Sequence, residues 1–346
     1  MHNHLERNLI GYGPNPPHAR WPGDARIAVS FVLNYEEGGE NTVLNGDAGS
    51  EVFLTETPGG TSFAGARDLS TESMYEYGSR AGFWRILRLF RERDMRFTSW
   101  AVGRALELNP AAGRAMAEAG HEVASHGWRW INYKDFTLEQ ELDHMKKAVK
   151  AITASAGKAP VGWYTGRFGM HTLEAVLKHG GFLYSSDSYA DDLPYWVSVG
   201  KTPHLVIPYT LEVNDMKFSV APGFSSGDGW LQAMKDSFDV LFAEGATSPK
   251  MMSVGLHCRL AGRPSRAATL ARFLDYVASK PKVWVATREE IARHWIKEHP
   301  ARTAEGVTTA AAEGGRSKPR RRPPCGRGRS GPWGAGGRRL RREAAR

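Results

Sequence analysis

An almost uninterrupted apolar run, RIAVSFVLNY at positions 26–35, constrains the fold of this chain more than any other feature. It is short, rich in β-branched and aromatic residues, and apolar on both alternating faces. This pattern is typical of a parallel strand that is buried on both sides. A strand of that kind needs other elements packed against its two faces, so we expect an α/β fold.

Shorter apolar runs recur along the chain and alternate with helical patterns. The periodicity predicts further strands near residues 95–102, 121–126, 161–164, 181–187, 204–209, 251–257 and 283–286. It predicts helices near residues 79–93, 109–120, 136–152, 171–180, 228–244 and 265–279. This repeating order favours one parallel, barrel-like (β/α) domain over residues 1–300.

Two of the predicted helices carry signals at their ends. Asn109 and Pro110 suit the N-cap and the first position of one helix, which Gly120 closes. Thr137 followed three residues later by Gln140 predicts a capping box at the start of the next helix.

Charge is distributed unevenly along the chain, whose formal net charge is +9. Residues 301–346 hold 13 Lys+Arg and 3 Asp+Glu, whereas residues 1–300 hold 33 and 34. The body is therefore almost neutral, which argues against a charged polymer as its ligand. The tail is rich in Ala, Gly, Arg and Pro without periodicity. We expect a disordered basic extension whose nucleic-acid binding, if any, is non-specific.

The N-terminal residues and the cysteine content bear on the cellular context. No apolar run has the length of a signal peptide or a membrane span, so we expect a cytoplasmic protein without membrane contact. Two cysteines, Cys258 and Cys325, are too few for a disulfide framework or a cysteine-based zinc cluster. Any metal would need histidine and carboxylate ligands.

Polar side chains cluster where predicted strands end, which is the face of a (β/α) barrel that carries catalytic residues. They comprise Glu36 with Glu37, His126, Arg167, the stretch from Asp187 to Asp192, and His257. A carboxylate pair and two histidines at one face supply both a general base and a general acid.

Each of these residues also has a plain structural interpretation when it is taken alone. The glutamates suit a solvated loop, either histidine suits a hydrogen-bonded core position, and Arg167 suits the protein surface. The glycines that follow the carboxylates, Gly38 and Gly39, favour a function because they let the backbone approach a ligand closely. The shared location at the strand ends favours an active site over separate structural roles.

The order of these motifs resembles the polysaccharide deacetylase (NodB-homology) superfamily. The stretches concerned are YEEG, SHGWRW, YTGR, DSYADD and LHCR. Longer stretches, among them GYGPNPPH, NYEEGGEN and SSDSYADDLPYW, are similar to those of the PuuE-type allantoinases. The similarity extends over roughly residues 5–300.

This resemblance implies a deformed (β/α) barrel of the NodB type and a homotetramer. It implies hydrolysis of the cyclic ureide (S)-allantoin to allantoate in purine catabolism, without a cofactor or added metal. Carried over by position, it makes Glu36 the general base and His257 the general acid. It puts Glu37 and His126 at metal-ligand positions of the superfamily and Arg167 at the position of the arginine that orients the base.

Further positions concern the substrate and the departures from the family pattern. We assign substrate contacts to Trp130, Asp187, Tyr164 and Trp128. Trp130 stands where the superfamily has a second histidine ligand, and its indole has no lone pair for a metal. Residues 168–170 read FGM, where PuuE-type chains have a serine-proline step.

Two other functions remain open. A metal-dependent carbohydrate or peptidoglycan N-deacetylase fits the superfamily, but it needs a third ligand besides Glu37 and His126. A nucleic-acid-binding protein rests on the basic residues 301–346 alone.

Overall fold

The strand predicted at positions 26–35 is present and pairs with three other strands of the sheet. In the computed structural model, which describes residues 2–57 and 60–301, it spans Ile27–Tyr35 and all 9 of its residues are buried. One long strand pairs in parallel with one edge of it, and two shorter strands share the other edge. Neither face is left to solvent, as the apolar pattern predicts.

The described residues form a 10-stranded sheet. The strands are β1 (His2–Asn3), β2 (Ile27–Tyr35), β3 (Thr98–Ala101), β4 (Glu122–Ser125), β5 (Gly162–Trp163), β6 (Tyr184–Ser185), β7 (Tyr195–Val199), β8 (Thr202–Val206), β9 (Lys250–His257) and β10 (Val283–Val285). Their spatial order is β1-β7-β8-β6-β5-β4-β3-β2-β10, and β9 pairs with the other edge of β2. All pairings are parallel except that of β7 with β8. The sheet curls into a half-barrel, which confirms the predicted deformed (β/α) barrel.

Helices follow most of the strands and flank the sheet. They are α1 (Leu69–Tyr77), α2 (Phe83–Arg91), α3 (Gly103–Leu108), α4 (Pro110–Glu118), α5 (Leu138–Ala156), α6 (Thr172–His179), α7 (Gly227–Glu244), α8 (Pro264–Ala278) and α9 (Arg288–Glu298). The capping box predicted at Thr137 and Gln140 is present at the start of α5. A second capping box, Thr287 with Glu290, starts α9.

One predicted helix begins with a wider turn. A π-helical turn, Gly78–Gly82, joins α1 to α2 and takes up the first residues of the helix that the periodicity predicts near residues 79–93. Here the chain passes very close to the segment that follows β9. A Cβ atom on Gly82 would lie only 2.0 Å from the carbonyl oxygen of Cys258. Glycine is therefore required for this contact between the helix and the end of the strand.

Several expectations need correction at the level of elements. Strands β1 and β7 and helices α1, α3 and α9 are additional to those predicted. Asn109 precedes α4 and Pro110 begins it, but the Asn109 side chain does not cap the helix. It donates instead to the hydroxyls of Tyr35 and Ser79, so a tertiary contact replaces the local one.

The predicted basic tail, residues 301–346, lies outside the described residues from position 302 onward. Within the described part of the chain, no helix is both long and apolar enough to cross a membrane.

Candidate active site

Parallel register brings the ends of four strands to the same height. Tyr35 of β2 lies beside Ala101 of β3, and Ala101 lies beside Ser125 of β4. On the opposite edge of β2, Asn34 lies beside His257, the last residue of β9. The residues just after these positions, among them Glu36 and His126, therefore meet at one edge of the half-barrel.

The carboxylate of Glu36 lies at the centre of this group. Its Oε1 atom is 3.3 Å from His126 Nε2 and 3.6 Å from His257 Nε2. Its Oε2 atom is 2.8 Å from Nη2 of Arg259. All four side chains are buried. The structure thus brings together the predicted base, both predicted histidines and one arginine that the sequence analysis did not single out.

His257 is held by a second carboxylate, Asp215, which the sequence analysis also missed. His257 Nδ1 lies 2.6 Å from Asp215 Oδ1, and a carboxylate oxygen accepts, which places a hydrogen on Nδ1. Asp215 Oδ2 accepts from the backbone N–H groups of His257 and Ala261. Asp215 begins a 3-10 turn that Asn214 caps, and it is fully buried. The Nε2 atom of His257 is therefore the one presented to Glu36.

His126 is oriented in a similar way by the backbone. Its Nδ1 atom donates to the carbonyl oxygen of Tyr164 at 3.2 Å, since a carbonyl oxygen only accepts. The Tyr164 ring lies 5.0 Å from the imidazole, and its hydroxyl contacts that of Tyr189 at 3.0 Å. Tyr164, predicted to touch substrate, thus forms one wall beside His126.

The surroundings of Glu36 favour its charged form. Burial by itself raises the pKa of a carboxyl group, but the Arg259 guanidinium and the imidazoles of His257 and His126 outweigh burial here. The pKa of Glu36 is held well below its usual range. Glu36 is consequently ionised throughout the neutral pH range and is available to accept a proton.

Glu37 points away from the histidines. Its Oε2 atom accepts from the backbone N–H of Glu36 at 2.9 Å, and its Oε1 atom is 3.7 Å from Arg259 Nη1. The carboxyl group lies against Gly78 of the π-helical turn, where a Cβ would come within 2.2 Å of Oε1. Burial raises the pKa of Glu37 to about 7, since the opposing effect of Arg259 is partly cancelled by the charge of Glu36.

Trp130 lies close to two guanidinium groups. The Arg167 guanidinium is 3.9 Å from the centre of its ring, and that of Arg259 is 5.5 Å away. Phe53 stacks on the same indole with ring centres 5.7 Å apart. Trp130 is 4% exposed, so its indole forms a buried wall of the cluster.

Arg167 does not contact Glu36, contrary to the role that the resemblance implies. Its Nη1 atom is 3.5 Å from Glu51, and its guanidinium stacks on Trp130. The arginine beside Glu36 is Arg259, because it follows β9 by only two residues and turns inward.

Asp187 is placed beside the loop that carries Arg167. Its carboxylate accepts from the backbone N–H groups of Thr165 and Gly166 at 2.8 to 3.0 Å. Burial raises the pKa of Asp187 to about 6, although these donors act in the opposite direction. Asp187 therefore fixes the turn before Arg167.

Trp128, also assigned to substrate, packs elsewhere. It lies against the helical layer with Met145 and Ala148 of α5, because the chain turns outward between His126 and Trp130. Trp128 therefore belongs to a side cluster of the core, and its assignment to substrate stays a prediction.

The departure at residues 168–170 borders a large cavity. Phe168 and Met170 are 49% and 70% exposed, and both line a cavity of about 970 Å³. Asp187 lines the same cavity, whereas Glu36 and His257 do not. The FGM sequence therefore shapes this neighbouring cavity rather than the buried cluster.

The donor set of the cluster does not fit a divalent metal. Within the described residues, no group of three or more His, Cys, Asp or Glu side chains is arranged to hold one. Trp130 offers no lone pair, and the Arg259 guanidinium lies beside both Glu36 and Glu37. The Arg259 guanidinium thus pairs with the two carboxylates that a bound cation would need as ligands.

Comparison with known proteins identifies relatives of this fold and site. The sequence profile of the polysaccharide deacetylase family matches residues 68–181. A Schizosaccharomyces pombe protein provisionally named a polysaccharide deacetylase is 48% identical over 314 residues, which are 85% of this chain and 98% of that protein.

Two solved structures are similar over almost their whole length. One, provisionally named a polysaccharide deacetylase, comes from Pseudomonas aeruginosa PAO1; it is 57% identical with a TM-score of 0.83 and covers 85% of this chain and 99% of its own. The other, PuuE allantoinase, is 55% identical with a TM-score of 0.84 and covers 85% and 98%. A chain that matches such relatives over nearly their full length belongs to the polysaccharide deacetylase family, and it is an enzyme of that hydrolase superfamily.

Proposed function

We propose that this enzyme opens the hydantoin ring of (S)-allantoin to give allantoate, a step of purine catabolism. The observation that carries the proposal is the 55% identity to PuuE allantoinase, which extends over 98% of that structure. The buried cluster supports it, because Glu36, His126 and His257 provide a base and two imidazoles at one site.

In the first step, Glu36 removes a proton from a water molecule while the water oxygen bonds to the ring carbonyl carbon. The carbonyl π electrons move to oxygen, which gives a tetrahedral oxyanion. The ionised state of Glu36 suits this role, since its pKa lies below the ordinary value.

In the second step, the oxyanion collapses and the bond from carbon to the ring nitrogen breaks. His257 delivers a proton from Nε2 to that nitrogen, and the carboxylic acid product loses its proton to water. The proton held by Glu36 then passes to His257 Nε2 across 3.6 Å, which restores the site. Asp215 keeps the other hydrogen on Nδ1 throughout, so the same nitrogen handles every transfer.

The hydrogen-bond pattern supports a protonated imidazole at the start. Both His126 and His257 donate through Nδ1, so each directs Nε2 at the same oxygen of Glu36. Two bare lone pairs facing one carboxylate oxygen would repel it. A second proton on one ring converts that repulsion into a charge-assisted hydrogen bond.

Two relatives carry names that specify polysaccharide deacetylation, which makes a metal-dependent N-deacetylase the second candidate. The two functions predict different substrates and different responses to a chelator. Purified protein is incubated with racemic allantoin or with N-acetylglucosamine oligomers, each with and without EDTA. We expect allantoate to form at the same rate in EDTA. Acetate release that EDTA abolishes, with no allantoate, would refute the proposal and support the deacetylase.

We also propose that the enzyme assembles as a homotetramer that acts on a small cyclic ureide in the cytoplasm. Exposed apolar side chains near the N-terminus support self-association, since Leu9 and Ile10 are 82% and 84% exposed. Sedimentation equilibrium should give four times the chain mass of 38.2 kDa. A monomer at micromolar concentration would contradict this assembly.

A further inference from the structure

Arg259 is a buried charged residue that has no role in the acid–base steps above. It is 1% exposed, and its guanidinium lies beside both carboxylates, 2.8 Å from Glu36 Oε2 and 3.7 Å from Glu37 Oε1. The Nε atom donates to the carbonyl oxygen of Leu54 at 3.2 Å. The guanidinium is also 4.1 Å from the centre of the Tyr75 ring. It is therefore fixed in position rather than free to move.

The two terminal nitrogens of Arg259 lack satisfied hydrogen bonds. Among the described residues, neither Nη1 nor Nη2 has an acceptor in hydrogen-bonding geometry, although Glu36 Oε2 is close. Glu37 Oε1 is likewise without a donor. The N–H groups on Nη1 and Nη2 therefore keep hydrogen-bonding capacity that the described residues leave unused. Such donors beside a catalytic carboxylate are suited to an acceptor oxygen that arrives with the substrate.

The charge of Arg259 has a second effect. It offsets the burial of Glu36 and keeps that carboxyl group ionised. The Arg259 guanidinium can thus keep Glu36 ionised. It can also face the substrate carbonyl group, which is attacked by the water molecule that Glu36 deprotonates.

We propose that Arg259 is the electrophile of this site, performing with a guanidinium the task that a metal ion performs in metal-dependent amide hydrolases. As the carbonyl carbon gains its bond to water oxygen, the carbonyl oxygen becomes negative and accepts hydrogen bonds from Nη1 and Nη2. These bonds are released when the oxygen returns to a carbonyl and the nitrogen leaves. The identity of the substrate in this inference rests on the proposed function, but the role of Arg259 does not.

Kinetics of Arg259 variants test this role. We expect Arg259→Ala to lower kcat for allantoin about 1,000-fold, since loss of an oxyanion donor typically costs 100- to 1,000-fold. The acid limb of the pH profile should shift to higher pH, because Glu36 loses the charge that keeps it ionised. Millimolar guanidinium should restore part of the activity of Arg259→Ala, whereas sodium chloride at equal ionic strength should not.

Matched variants separate this role from a structural one. Glu36→Gln should not respond to guanidinium, and Arg272→Met, at an exposed arginine paired with Asp228, should keep parental kinetics. Circular dichroism checks the fold of each variant. Should Arg259→Ala not fold, Arg259→Met and Arg259→Lys take its place. A folded variant with kcat within tenfold of the parent, or an inactive folded Ala variant that guanidinium never rescues, would overturn the proposal.

A binding measurement decides the question even if the parent does not open allantoin. Ureide opening and deacetylation both pass through an oxyanion and release a carboxylate, so the Arg259 donors should bind acetate in either case. We expect the ¹³C line of labelled acetate to broaden with the parent and to stay sharp with Arg259→Met. Equal broadening with both proteins would show that Arg259 does not bind the oxyanion. A parent protein that binds acetate but does not open allantoin would refute only the proposed function.

Discussion

Asp215 selects which nitrogen of His257 carries its fixed hydrogen. The 2.6 Å contact to Nδ1 leaves Nε2 as the atom that faces Glu36, which the proposed proton transfers require. We predict that Asp215→Asn lowers kcat for allantoin about 1,000-fold, as expected when an orienting carboxylate next to a catalytic imidazole is neutralised. Steady-state kinetics on folded protein measure this loss.

A second aspartate provides the control for that experiment. Asp275 also bonds to a basic side chain, that of Arg93, but it is exposed on helix α8 and has no contact with the cluster. Asp275→Asn should keep kcat within twofold of the parent. An Asp215→Asn enzyme as fast as the parent would show that His257 needs no fixed tautomer.

Glu37 makes stability depend on pH. Its pKa is raised to about 7 by burial, against an ordinary value of 4.5. The native state therefore holds this proton more tightly than the unfolded state does, and stability falls as pH rises from 4.5 to 7. We predict that Glu37→Gln removes this fall and gains about 3 kcal/mol relative to the parent between pH 4.5 and pH 8.

Urea unfolding of both proteins at several pH values measures this difference. A constant difference between parent and variant across the range would mean that Glu37 is ionised in the native state at pH 5 already.

Residue-scale prediction from sequence succeeded where position along a strand determines position in space. Glu36, His126 and His257 come together because each one lies at or just after the end of a parallel strand. Asp215 was missed because it does not follow that rule, and Arg259 was missed because position after a strand does not show which side chain turns inward. Arg259 reaches the cluster through a turn after β9, and Asp215 arrives from a 3-10 turn that no sequence period reveals.

At the scale of elements, the contact between the π-helical turn and the end of β9 is possible because Gly82 has no side chain. A Cβ atom on Gly82 would lie 2.0 Å from the Cys258 carbonyl oxygen, and this backbone atom cannot move aside cheaply. We predict that Gly82→Ala lowers the free energy of unfolding by about 1–3 kcal/mol, the usual cost of overpacking. Chemical denaturation measures the change.

Gly229 of α7 is the matched control, because a Cβ there meets only Ser226 Oγ at 3.5 Å, an ordinary contact. Gly229→Ala should stabilise the protein by about 0.5–1 kcal/mol through its higher helix propensity. Equal stability of the two alanine variants would argue against the close approach at Gly82.

The elements that were predicted well are those whose sequences carry a clear hydrophobic pattern or a capping motif. Strand β2 and helix α5 match their predicted positions closely, because burial on both faces and a capping box leave clear patterns. Strand β7 escaped prediction because its residues are mostly half-buried and pair antiparallel with β8 near the end of the sheet. The π-helical turn before α2 was not predicted, because hydrophobic spacing does not register a single wider turn.

At the scale of the whole molecule, the net positive charge and the candidate active site belong to different parts of the sequence. Residues 1–300 are almost neutral, and the net positive charge comes from residues 301–346. We predict that a chain ending at residue 300 keeps the parental kcat and KM for allantoin but loses retention on a DNA column at low salt. Loss of turnover in the shortened enzyme would assign the tail a part in catalysis.

The shortened chain also isolates one thiol, since Cys258 is the single cysteine among residues 1–300. Cys258 is fully buried beside Glu37 and Arg259, and burial raises the pKa of its thiol well above the ordinary value. A thiol reagent can reach it only when the edge of the half-barrel opens. The labelling rate of Cys258 therefore reports how often that edge opens. We expect Cys258 to be labelled much faster in Gly82→Ala than in Gly229→Ala.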